Sequence, residues 1–142
     1  MSIQTANNHR ENAEIITGDS LLCKQKSKEI LEKIHMPKGL LPLDDIEEMG
    51  YNETTGYVWL RQKKGKEHKF KMIGKQVWYD TEVTAFVENQ RLGRLKGVKS
   101  KGLLIWITIN EIYIDAKDPE KITFGTSAGI SKSFPTKAFE EE

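Results

Sequence analysis

The chain has 142 residues, 37% hydrophobic and 30% charged, and its 22 Lys and Arg against 21 Asp and Glu leave a formal net charge of +1. That length fits one domain whose core needs neither disulfide nor metal, and the lone Cys23 can form no intramolecular bridge. The even balance excludes a chain that holds polyanions by overall charge, so nucleic acid is not an expected partner and only local clusters can attract anions.

Residues 1–16 are polar, with Asn7, Asn8, His9, Arg10, Glu11 and Asn12 in succession, and read as a flexible arm. They contain no apolar stretch of the secretory type, and no run in the chain approaches the roughly 18 apolar residues of a transmembrane segment. A cytoplasmic protein is the expectation. Residues 17–139 read as one folded domain, and 140–142 as a short acidic tail.

Thr17-Gly18-Asp19-Ser20 opens a helix, with Asp19 or Ser20 as N-cap. Cys23, Ser27, Ile30, Leu31 and Ile34 recur at three-and-four spacing and give it one apolar face. Pro37 and Gly39 end it. The connector Met36-Pro37-Lys38-Gly39-Leu40-Leu41-Pro42 carries two leucines expected to close one end of a core.

From Leu43 the period changes to short β-rich segments divided by glycine-bearing turns. They are Leu43 to Tyr51, Tyr57 to Arg61, His68 to Ile73, Val77 to Val87, a passage through Gly93 and Gly97 to Leu103, Lys121 to Phe124, and Ile130 to Phe134. Strands joined by such short turns pair antiparallel, because parallel crossovers need a dozen residues or more. The expected fold is mainly β: one antiparallel β-barrel-like domain of about 8–10 strands with one N-terminal α-helix. Leu103–Asp115, rich in β-branched and aromatic residues, reads as its long central strand. Leu103, Ile105, Ile107 and Ile109 share one parity and Ile112 and Ile114 the other, so a bulge or a change of inward face is expected near Asn110-Glu111.

Chemistry is sparse. Gly125-Thr126-Ser127-Ala128-Gly129 matches the G-x-S-x-G elbow of serine hydrolases and makes Ser127 the one candidate nucleophile. The elbow requires a helix after the serine and a histidine later in the chain; here His9, His35 and His68 all precede it. Three scattered histidines and one cysteine have no zinc-ligand spacing, so no metal is expected. No P-loop or G-x-G-x-x-G is present, and no cofactor is expected.

Charge is uneven along the chain. Arg61, Lys63, Lys64, Lys66, Lys69, Lys71 and Lys75 stand together with Glu67 alone among them, and Arg91, Arg94, Lys96, Lys99 and Lys101 follow with no acid. Should the two groups adjoin, Arg61, Lys63, Lys64, Lys66, Arg91, Arg94 and Lys96 form a basic rim. Trp59, Trp78, Phe86 and Trp106 are the aromatics expected to line the interior of a barrel, which can be filled or can enclose a small ligand.

His35-Met36-Pro37-Lys38-Gly39-Leu40-Leu41-Pro42 resembles the P-x-G-L-L-P opening of the plant-specific domain-of-unknown-function 538 family. Leu95-Lys96-Gly97-Val98-Lys99, Leu104-Ile105-Trp106-Ile107 with Asn110-Glu111-Ile112, and Ser131-Lys132-Ser133-Phe134-Pro135 follow in the family's order. The resemblance implies a helix followed by a barrel-like sheet. It also implies a link to lipid-binding proteins of the bactericidal permeability-increasing type, with esterase-like roles suggested for the family. It supplies no catalytic residues. Three functional readings result: a non-catalytic module binding an amphipathic, lipid-like or anionic small molecule; an esterase-type hydrolase using Ser127; and a protein–protein adaptor using a sheet edge or the Leu40-Leu41 connector.

Overall fold

The structure is a computed structural model that describes residues 9–140. Helix α1, Ser20–Lys33, begins where Asp19 accepts a hydrogen bond from the Leu22 N–H at 3.0 Å, which satisfies one of the free amides of the first turn. Nine strands make one antiparallel sheet: β1 Glu14–Thr17, β2 Ile46–Asn52, β3 Tyr57–Gln62, β4 Lys66–Phe70, β5 Lys75–Glu88, β6 Arg91–Lys101, β7 Trp106–Ile114, β8 Lys121–Thr126 and β9 Ser131–Pro135. β1 includes residues expected in the loose arm; the expectation for residues 1–8 lies outside the described residues.

The barrel is not formed. The order runs β1-β2-β3-β5-β6-β7-β8-β9, and the end strands β1 and β9 each have a single partner. The space that closure would need is taken by α1 and two 3-10 turns, Lys38–Leu40 and Thr136–Phe139. Phe139 is fully buried, 4.6 Å from Phe70 and 5.2 Å from Phe124. A side chain on Gly39 would collide with the carbonyl oxygens of Phe139 and Glu140, which shows how tightly the two turns meet.

β5 is forked. Its first half, Lys75 to Tyr79, pairs with β4 and its second half, Glu82 to Phe86, pairs with β3. Its other edge is taken by β6. Between the halves the buried Gln62 side chain donates to the carbonyls of Tyr79 and Asp80, at 3.2 and 2.9 Å, so backbone acceptors left by the fork are satisfied.

The core lies on the inner face, under α1. Cys23, Ser27, Ile30, Leu31 and Ile34 are buried, as their spacing predicts, and Leu40 seals the same core. It is packed mostly by aliphatic side chains with Phe70, Tyr79, Phe124 and Phe139. The Tyr79 hydroxyl donates to the Leu40 carbonyl at 2.8 Å, and burial pushes its phenol strongly upward. An internal cavity of about 20 Å³ between α1 and β3, β5 and β6 leaves room for little more than one water. The interior is therefore filled.

The long strand expected over Leu103–Asp115 begins only at Trp106, and β5 and β6 are longer than it. Residues 103–105 are a turn, closed by the Gly102 N–H donating to the Ile105 carbonyl at 2.8 Å. The change of phase is where the alternation places it. The β7–β8 register shifts between Ile109 and Glu111, and Ile109, Ile112 and Ile114 all point into the core.

Candidate functional site

The aromatics nominated for the interior lie elsewhere. Val58, Leu60, Val83 and Ala85 enter the core from β3 and β5. Strand alternation therefore places Trp59 and Phe86 on the opposite, outer face. Trp59 is covered there by Arg10, whose guanidinium lies 4.9 Å from the ring, and its indole N–H donates to Glu48 at 3.0 Å. Phe86 is half-buried 5.1 Å from Tyr57 and beneath Arg94. Trp78 lies over Gly65, where any Cβ would clash with its ring, and Trp106 is partly exposed beside Lys101.

The nominated basic residues do not make one patch. Arg61 is held by Glu47 and Glu48, Lys66 by Asp44, and Arg91 by Glu88 and Glu111. Lys63 and Lys64 are exposed on the β3–β4 turn, and Lys96 is exposed on β6, opposite Thr84 of β5. Buried Glu48 collects hydrogen bonds from Arg10, Trp59 and Arg61 at 3.2, 3.0 and 3.5 Å. Burial pushes its carboxyl up, but the bonds from Arg10 and Trp59 and the nearby guanidiniums outweigh it and hold the group below its ordinary value.

Ser127 is exposed at the tip of the β8–β9 hairpin and is followed by a strand, not by the helix that a nucleophile elbow requires. Thr126 and Ile130 close this turn, and both flanking glycines have structural reasons. Gly129 has φ +79°, and a Cβ at Gly125 would come within 2.8 Å of the Glu111 side chain. His9 stacks on Tyr57, His35 bonds Asn89 and His68 contacts Phe70. Among the described residues, no group of three or more His, Cys, Asp and Glu is placed to hold a metal ion.

Two arrangements were not visible in the sequence. One is a cleft of about 220 Å³ between α1, the connector and β4, which gathers Lys24, Lys28, Lys38 and Lys66 from separate elements. Asp44 lies within it and bonds both Lys24 and Lys66, so much of its charge is already neutralised.

The other arrangement is one end of the sheet. The β4–β5 turn, the β6–β7 turn and the β8–β9 turn all fall there, because antiparallel pairing sends β5, β7 and β9 away from the end at which β4, β6 and β8 finish. Leu103, Leu104 and Ile105 are 96%, 90% and 68% exposed on the middle turn, with Met72 at 59% and Ile130 at 69% on the flanking ones. Lys69, Lys71, Lys75, Lys99, Lys101 and Lys132 surround them, and none of these six forms an ion pair among the described residues. The one nearby acid, Glu67, accepts from Gln76 at 2.8 Å. Lys75 is held below its ordinary value, first by burial and then by the charge of Lys132. The flanking turns thus carry like charges close enough to repel. The opposite end differs: Lys33 pairs with Glu53, Arg91 with Glu88 and Glu111, and Lys121 with Asp118.

Fold and surface together define a mainly-β protein with a packed interior, an open antiparallel sheet on one main helix, and an apolar end set among lysines. The chain belongs to the DUF538 family, described as proteins of unknown function, whose profile matches residues 27–140. No curated protein and no solved structure matches the chain.

Proposed function

We propose that the chain is a non-catalytic module that binds anionic amphiphiles at the lysine-ringed apolar end of its sheet. The observation that carries this reading is the meeting of exposed Leu103, Leu104, Ile105, Met72 and Ile130 with six lysines that have no ion pair among the described residues. Scattered exposed hydrophobes are ordinary, but a group of them gathered on the turns of one sheet end points to an interaction site. A lysine ammonium keeps its charge in water while its stem covers apolar surface, which suits a ligand with an anionic head and an apolar tail. The filled interior moves this reading from an enclosed ligand to a surface one.

The test is titration with an anionic and with a neutral detergent of equal chain length, each below its micelle concentration, followed by tryptophan fluorescence. Binding of the anionic one that weakens with added salt is the expected result. Equal binding of the neutral detergent, or loss of neither on changing Leu103 and Leu104 to Ser, overturns the assignment. Leu40 is buried, which takes one of the two connector leucines out of an adaptor surface.

A further inference from the structure

The apolar end has the shape of an apex. Three turns from three strand pairs reach it side by side, and the clefts elsewhere on the molecule include none of Leu103, Leu104 and Ile105. A single amphiphile laid against an apex stays wet along much of its length, whereas a lipid layer surrounds the apex on every side. We infer that the partner of this end is the surface of an anionic bilayer, entered by Leu103, Leu104 and Ile105 with the surrounding lysines at headgroup level. This inference rests on the binding reading above and narrows its ligand from an amphiphile to a bilayer.

Three further features fit that partner. The Gly102 N–H and the Ile105 carbonyl bond each other, so two backbone groups of the turn enter already satisfied, as a lipid environment requires. Trp106 follows the apolar tip directly, is 37% exposed, and has the Lys101 ammonium 5.7 Å from its ring centre. A half-exposed indole next to a cation is suited to the boundary between headgroups and acyl chains. Finally, the turns at the other end of the sheet carry both signs, with Glu53, Glu88 and Asp118 each paired to a cation, so a negative surface attracts the apex in preference to the opposite pole.

The test is co-sedimentation of the full chain with vesicles of phosphatidylcholine alone and of phosphatidylcholine mixed with phosphatidylserine. A parallel titration uses short-chain phosphatidylserine below its micelle concentration. Binding to the mixed vesicles, lost at high salt and weaker for the short-chain lipid, is expected. Leu104→Glu should lower vesicle affinity at least about tenfold, since a carboxylate is strongly disfavoured in an apolar layer. Lys99→Gln and Lys101→Gln should each lower it about fivefold, the equivalent of ~1 kcal/mol per lysine. These side chains are exposed, so each variant should keep the parent's urea midpoint, which separates lost binding from lost folding. Short-chain lipid bound as tightly as vesicles overturns the bilayer assignment and leaves the binding reading standing. Binding of neither removes both. A concentration-dependent dimer broken by Leu104→Glu, with vesicle binding absent, assigns the apex to a second copy and overturns the inference.

Discussion

Gly97 sits within β6 at φ +88°, and a Cβ there would lie 2.1 Å from the carbonyl oxygen of Glu82. Both the left-handed backbone and the contact call for glycine, because the neighbour is main chain and cannot turn aside. Gly97→Ala is expected to destabilise the fold by about 3 kcal/mol, read as a lower urea midpoint. Asp44 makes a prediction of another kind. Hydrogen bonds from Lys24 and Lys66 draw its carboxyl from 3.8 to about 2, so the folded chain binds this proton less readily than the unfolded one. Its stabilisation is complete above pH 3.8 and disappears as the pH falls through about 2. The carboxylate is 57% exposed, so solvent screening keeps the effect below about 1 kcal/mol. Asp44→Asn should flatten that part of an acid-unfolding curve and leave the neutral region nearly parallel to the parent. The sequence exposes Gly97 as a bend, but not the carbonyl it must clear. For Asp44 neither lysine partner is legible, because both arrive through tertiary structure.

β7 and the turn before it show where hydrophobic pattern informs and where it misleads. The switch of inward face near Asn110-Glu111 is legible because the alternation itself breaks there, and the register shift between Ile109 and Glu111 is its structural form. The beginning of the run is not legible. Leu103, Leu104 and Ile105 have strand composition, yet the hairpin between β6 and β7 has to turn, and Gly102 places that turn under them. The two halves of one apolar run should thus respond differently to substitution. Ile112→Ala is expected to cost about 2–5 kcal/mol by leaving a core cavity, whereas Leu103→Ser should stay within about 0.5 kcal/mol of the parent. Equilibrium urea unfolding of the two variants checks the contrast. The start and apolar face of helix α1 are legible because those signals are local, whereas it stops at Lys33, with His35 at φ 61°, a little before the Pro37 and Gly39 that the sequence offers as its end. Strand β1 was not: its polar surroundings hide a short edge segment whose pairing with β2 is long-range.

At the scale of the molecule, strand number and antiparallel pairing follow from the short turns, whereas closure does not. Whether nine strands meet as a barrel depends on what fills the mouth. Here α1, Leu40 and Phe139 fill it, from segments far apart in sequence. The same long-range assembly put Arg61, Lys66 and Arg91 of the nominated basic rim into ion pairs and gathered at one pole lysines that have no ion pair among the described residues. The forked strand has a consequence for the integrity of the chain. β3 and β4 are each hydrogen-bonded to β5 on their own, so the peptide link through residues 63–65 carries none of their pairing. Specific cleavage at an engineered site in that turn should leave two fragments that co-elute in gel filtration and come apart only in denaturant. The protein is thereby open to reconstitution from two separately made pieces, and a split at this point offers a way to label one half of the sheet without the other.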